Sequence, residues 1–111
     1  MAIKLSKSHH PLETTLAYLS DKWKFLIIGE LLSGTKRFGE LQKNIGNISQ
    51  KVLTSNLRAL EEDGLLVRNV YPEIPPRVEY TLTEKGESLA GIIKEMRAWG
   101  KRHMGEDKTA K

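Results

Sequence analysis

The chain has 111 residues, no cysteine and a formal charge of +4 at pH 7. That length suits one domain with a modest core, and the missing thiol excludes disulfides, thiolate zinc sites and cysteine nucleophiles. No apolar run approaches the ~18 residues of a membrane helix, and the leading MAIKLSKSHH lacks the apolar centre of a secretory signal. The expectation is therefore a cytoplasmic protein with no membrane contact and an anionic partner.

Residues 1–10 are polar and predict a flexible arm. Pro11 suits the first turn of a helix because its missing N–H leaves nothing unpaired there, and Leu12, Leu16 and Leu19 mark that helix's inner face. Ser20 or Asp21 can cap a second helix, roughly residues 22–33, whose Trp23, Leu26, Ile27, Ile28, Leu31 and Leu32 make it apolar almost all round. It should be the central helix, with Trp23 in the core and Gly34 as its stop. Thr35-Lys36-Arg37 leads as a very short strand into a third helix, roughly 38–45, with Phe38, Leu41 and Ile45 inward. Gly46-Asn47 is a turn signal.

The next helix, about residues 49–63, carries the most information. Ser49 is a suitable N-cap and Gly64 a suitable stop. At 100° per residue Leu53, Leu57 and Leu60 fall within about 60° of one another and form a buried stripe. Lys51, Ser55 and Arg58 lie opposite, with Thr54 beside them, so cations share the front with small hydroxyls. A docked helix with such a front is what the DNA major groove accepts. The bland alternative is an ordinary solvated face. The acids Glu61, Glu62 and Asp63 sit at the far end. Two helices joined by a turn of about four residues, the second with a polar front, form a helix-turn-helix.

After Gly64 the period changes. Residues 65–71, LLVRNVY, read as a strand, and residues 77–82, RVEYTL, alternate with Val78, Tyr80 and Leu82 on one face. Tyr71 and Tyr80 are expected to pack on the helices. Between the strands Pro72-Glu73-Ile74-Pro75-Pro76 predicts a stiff exposed loop. A hairpin here, about residues 66–82, is a wing. Thr83 can cap a final helix, roughly 83–103, on which Leu89, Ile92, Ile93, Met96 and Trp99 repeat at intervals of three and four. That helix is too long to pack wholly on one small domain. Lys101, Arg102, Lys108 and Lys111 load the C-terminal end, and residues 104–111 predict a flexible tail. The fold class is thus mainly α with a small β-hairpin (α+β): one winged helix-turn-helix domain over residues 11–103 with N- and C-terminal dimerisation helices.

Three stretches, DKWKFLIIGELLSGTKRFGEL (21–41), ISQKVLTSNLRALEEDGLLVR (48–68) and YPEIPPRVEYTLTEKG (71–86), closely resemble the HxlR-type winged-helix transcriptional regulators, a branch near the MarR group. The resemblance runs from Pro11 to about Trp99. It implies a bacterial homodimer on inverted-repeat operators and places Ser49, Gln50, Lys51, Thr54, Ser55 and Arg58 on the groove-facing helix. Many members carry a cysteine directly before the proline that opens the first helix, and some use it as a redox or electrophile sensor. Here His10 stands at that position, so thiol sensing is excluded.

Individual contacts stay open. Lys51 and Arg58 suit phosphate or guanine, and Gln50 suits adenine. Arg77 either reaches the DNA backbone or minor groove from the wing or pairs with Glu73 or Glu79. Lys36 and Arg37 either touch phosphate or serve solubility. The first and last helices are expected to pair two subunits through Leu12, Leu16, Leu89, Ile92, Ile93, Met96 and Trp99. No cofactor is expected. His9, His10 and His103 have no carboxylate or histidine at ligand spacing, so no metal site is expected. No phosphate-binding glycine loop, HExxH or nucleophile elbow is present, so the chain is not read as an enzyme. The function expected is a sequence-specific DNA-binding transcriptional regulator. The alternative is a winged-helix interaction module for an acidic protein partner. A small-molecule effector in the crevice between interface helices and DNA-binding domain is a further expectation, provided it binds two arrangements unequally.

Overall fold

The computed structural model describes residues 10–106. In chain order its elements are α1 (Pro11–Tyr18), α2 (Lys22–Leu31), β1 (Lys36–Arg37), α3 (Phe38–Ile45), α4 (Gln50–Glu62), β2 (Leu66–Tyr71), β3 (Arg77–Leu82), α5 (Glu84–Glu87) and α6 (Ala90–His103), followed by a 3-10 turn over Met104–Glu106. The three strands form one antiparallel sheet in the order β1-β3-β2. The expected arm and tail fall largely on residues 1–9 and 107–111, outside the described residues. The part of that tail that is described, Met104–Glu106, is wound into the 3-10 turn.

Local chemistry sets the helix ends. Asp21 Oδ1 accepts from the Lys24 amide at 3.1 Å and opens α2. The Arg37 amide donates to Glu40 Oε1 at 2.8 Å at the start of α3. Gly46 (φ 73°) and Asn47 (φ 53°) both adopt left-handed backbone, which reverses the chain between α3 and α4 in few residues. Ser49 Oγ accepts from the Val52 amide at 3.1 Å. At the other end of α4, Gly64 turns left-handed (φ 77°) and the Leu65 amide donates back to the Leu60 carbonyl at 2.9 Å, closing the helix as the sequence predicts.

The core collects Ile27, Ile28 and Leu31 of α2, Leu41 of α3, Leu53, Leu57 and Leu60 of α4, Leu66, Tyr80 and Leu82 of the hairpin, and Ile93 of α6. α2 touches α3, α4, β3 and α6, so it is the central helix. Leu66 lies opposite Leu82, Arg68 opposite Tyr80 and Val70 opposite Val78. Directly opposed residues share a face, so this set forms the helix-facing side of the hairpin. The buried polar side chain of α4 is Asn56, whose Nδ2 donates to the Val52 carbonyl at 2.9 Å.

Four expectations change. Only Leu19 of the first stripe is buried; Leu12 and Leu16 are exposed, because α1 buries none of its own residues and is tied down past its C-terminal end. There Lys85 Nζ donates to the Tyr18 hydroxyl at 2.7 Å. Trp23 is half-buried at the core's edge rather than inside it, with the Lys22 ammonium 4.6 Å over its ring. Tyr71 does not pack on the helices; its ring lies 4.0 Å from the Arg77 guanidinium. The helix expected over residues 83–103 is two helices. The Ser88 amide reaches both the Glu84 and Lys85 carbonyls, the Leu89 amide tightens to the Gly86 carbonyl at 3.1 Å, and the Ser88 hydroxyl also donates to Lys85. Competing bonds of this kind pinch the ladder into a 3-10 turn.

Thr83 ties that segment to the end of α4. Its hydroxyl donates to the Gly64 carbonyl at 2.6 Å and accepts from the Gly86 amide at 3.1 Å. Thr83→Ala is expected to lower stability by about 1 kcal/mol, read as a shifted urea midpoint with an unchanged slope.

Candidate nucleic-acid interface

The apolar back of α4 is fully committed to the core, and this fixes which side faces out. Leu53, Leu57 and Leu60 are buried, while Gln50, Lys51, Ser55 and Arg58 are exposed and Thr54 is half-buried. Gln50, Lys51, Thr54, Ser55 and Arg58 together line a shallow depression along the outer surface of the helix. Ser49 is spent differently: its hydroxyl caps α4. Lys51 and Arg58 are seven residues apart, about 10 Å along the axis at 1.5 Å per residue. Neither has an ion pair or side-chain hydrogen bond among the described residues, so both charges are free for a partner.

The remaining cations divide. Lys36 Nζ donates to Ser33 Oγ at 2.8 Å and to the Glu30 and Gly34 carbonyls at 3.3 and 3.4 Å. It therefore caps the C-terminal end of α2, where a cation also meets the negative end of the helix dipole. Arg37 is exposed on β1 and its side chain has no partner among the described residues. Arg77 makes both of the ion pairs that the sequence offered it. Its Nη2 lies 3.0 Å from Glu73 Oε2 and its Nη1 2.6 Å from Glu79 Oε2. The hydrogen bonds to Glu73 and then Glu79 raise its pKa above the ordinary arginine value, so its charge is locked in place. Together with Tyr71 this clamp braces the tip of the hairpin.

One cation escaped the sequence reading. Arg68 stands on the helix-facing side of β2, opposite Tyr80, and lines a recess with Phe38, Gln50, Thr54, Leu57, Arg58, Glu61 and Tyr80. The signal was the pairing of β2 with β3, which alternation within RVEYTL shows but the run LLVRNVY hides.

The residues expected at a subunit interface also divide. Ile93 is buried and Leu89 packs against the core, so these two serve the fold. Leu12 (79% exposed), Leu16, Ile92, Met96 and Trp99 (59% exposed) remain on the surface. On α6, Ile92, Met96, Trp99 and His103 fall within about 60° of one another. His103 stacks on Trp99 at 4.3 Å, and its Nδ1 lies 3.2 Å from Glu106 Oε2. A carboxylate therefore does stand beside one histidine, contrary to the sequence reading. His9 lies outside the described residues.

A model of the HxlR-like helix-turn-helix matches residues 18–108. The chain belongs to the HxlR-like helix-turn-helix family. The HTH-type transcriptional regulator YdeP of Bacillus subtilis (strain 168) is 45% identical over 93 residues, which is 84% of this chain and 73% of that protein. The crystal structure of the HTH-type transcriptional regulator YtcD superposes with a TM-score of 0.80 at 46% identity, covering 86% of this chain and 98% of that one. The redox regulator HypR in its reduced form superposes with a TM-score of 0.82 at 41% identity, covering 86% and 94%. HxlR-like proteins are transcriptional regulators that work through a DNA-binding helix-turn-helix, and they are not enzymes. Within the matched residues α3 and α4 follow one another as helix, turn and helix, and the β2-β3 hairpin follows them. Among the described residues no helix is long and apolar enough to cross a membrane.

Proposed function

We propose that the chain is a cytoplasmic regulator that binds inverted-repeat operator DNA as a homodimer, with α4 lying in the major groove of each half-site. The observation that carries this reading is the two-sided α4. Its leucines are sealed in the core, and its opposite face offers Gln50, Lys51, Ser55 and Arg58 with no partner for either charge among the described residues. Ser49 and Thr54 border that face at the N-terminal half, where base edges are commonly reached. Arg37 extends the positive surface from the start of α3. Lys36 and Arg77 reach phosphate in this reading only by exchanging the bonds that they hold in the free chain. Two subunits related by a twofold axis would set their recognition helices about 34 Å apart, one duplex turn. Binding would weaken steeply with salt as condensed counterions are released.

The test is affinity for the chain's own upstream DNA. Lys51→Ala and Arg58→Ala are each expected to weaken binding by at least about 1 kcal/mol while leaving the thermal midpoint in place. Binding that neither substitution weakens would remove α4 from the groove.

Regulation fits the recess between α2, the end of α3 and α6. Phe25, Leu26, Ile45, Ile93 and Met96 give it an apolar wall, and Glu30, Asn44 and Arg97 a polar rim. A small effector held there would touch the helix-turn-helix and the C-terminal helix at once, so it could alter the spacing of two recognition helices. HypR is named a redox regulator; with no cysteine, this chain would need a signal other than a thiol switch.

A further inference from the structure

We infer that Arg58 and Arg68 form one seat for a single DNA backbone phosphate, held between the recognition helix and the wing. This rests on the DNA-binding reading and adds to it a residue that α4 alone does not supply. The seat is the recess of about 390 Å³ bounded by α4, the first residue of α3 and the helix-facing side of the hairpin. Phe38, Leu57 and Tyr80 form its apolar floor, Gln50 and Thr54 supply neutral donors, and two guanidinium groups flank it.

The two arginines, like Lys51 and Arg37, differ from three other cations of the chain whose charge is already engaged. Lys36 is bonded to three oxygens, Arg77 to two carboxylates and Lys85 to a phenol. Arg58 and Arg68 are exposed and have no ion pair or side-chain hydrogen bond among the described residues. Each guanidinium presents a planar fork of donors that matches phosphate oxygens. One carboxylate, Glu61, shares the recess without pairing to either arginine. Two positive charges and one negative leave a formal charge of +1, which suits the single charge of a phosphodiester. The placement also suits DNA: with α4 in the groove, a strand bordering that groove would pass between the helix and the hairpin that follows it.

The experiment uses the full chain and the duplex that it binds best. Affinity is measured across a salt series for the wild type, Arg68→Gln, Arg68→Lys, Arg58→Gln and the double glutamine variant, with Lys51→Ala as reference. Arg68→Gln is expected to weaken binding about tenfold on every sequence tested and to reduce the salt slope by about one for each half-site, about two for the dimer. Arg68→Lys should restore the slope. Because both arginines serve one phosphate, the double variant should lose about one unit of slope for each half-site and not two. A neutral methylphosphonate at one position per half-site should weaken the wild type and leave Arg68→Gln unaffected. If Arg68→Gln binds with unchanged affinity and slope while Lys51→Ala is weakened, the seat is wrong and the DNA reading stands. A double variant that loses about two units for each half-site would overturn the shared phosphate. If none of the variants is weakened, the DNA reading fails and the seat fails with it.

Discussion

Gly86→Ala should be among the most damaging single-methyl changes available to this chain, lowering stability by roughly 3 kcal/mol or more. A Cβ built at Gly86 would stand 2.1 Å from the Leu65 carbonyl oxygen and 3.0 Å from Leu82 Cδ2. The first obstacle is backbone, which cannot rotate aside. That carbonyl is itself held, because it accepts from the Thr83 amide at 3.0 Å. Relief would require α5 to lift off the junction between α4 and β2, breaking the Thr83 bonds to Gly64 and Gly86 together. Alanine's better helix propensity returns at most about 1 kcal/mol. The midpoint of thermal unfolding should fall by more than about 10 °C, given about 4–8 °C per kcal/mol for a domain of this size. Gly39→Ala is the matched control, since a Cβ there meets nothing within 4 Å and should be neutral or slightly stabilising. A Gly86→Ala protein that melts within a few degrees of wild type would show that the junction yields, and that the close approach does not hold the hairpin against α4.

Gly86 also shows where sequence reasoning stops. The ends of α4 were legible because capping is local: Ser49 and Gly64 act on amides and carbonyls within a few residues of themselves. The face of β3 was legible because Val78, Tyr80 and Leu82 alternate without interruption. The break between α5 and α6 was not, because the apolar repeat starts only at Leu89, and the Thr83 cap signal before it reads as the start of the same helix. The pinch depends on Ser88 and on a glycine pressed against a carbonyl contributed by residue 65.

The candidate site follows the same division. Lys51, Ser55 and Arg58 could be read from a helical wheel, since one buried stripe fixes the opposite face. Arg68 could not, because its neighbours come from α4 and β3 and its own run, LLVRNVY, does not alternate clearly. Lys36 and Arg77 looked like equal candidates to Arg37 in the sequence. Only the folded chain shows that Lys36 returns to the end of α2 and that Glu73 and Glu79 converge on Arg77. Charge is visible in a sequence, whereas whether that charge is already satisfied is a property of the fold.

Met96→Asp is expected to convert the proposed homodimer into monomers and to lower operator affinity by about 100-fold or more. Five large apolar side chains, Leu12, Leu16, Ile92, Met96 and Trp99, stand exposed on α1 and α6 of a single chain. Exposed apolar side chains gathered on one helix face mark a surface that is covered by a partner. Met96 lies between Ile92 and Trp99 on that face and is about half exposed, so a second copy would bury it. In a twofold interface the substitution occurs twice, placing two unpaired carboxylates in an apolar contact. The loss in DNA affinity then follows without any change at α4. A dimer holds its second recognition helix close to the second half-site, and a monomer forfeits that effective concentration. Light scattering after gel filtration reads the mass, and a half-site duplex separates the two effects: Met96→Asp should bind it as the wild-type subunit does. Lys94→Ala, on the opposite side of α6, should leave the mass unchanged. A wild-type chain that is monomeric at micromolar concentration, or a Met96→Asp chain that stays dimeric, would mean that this stripe is not where two subunits meet.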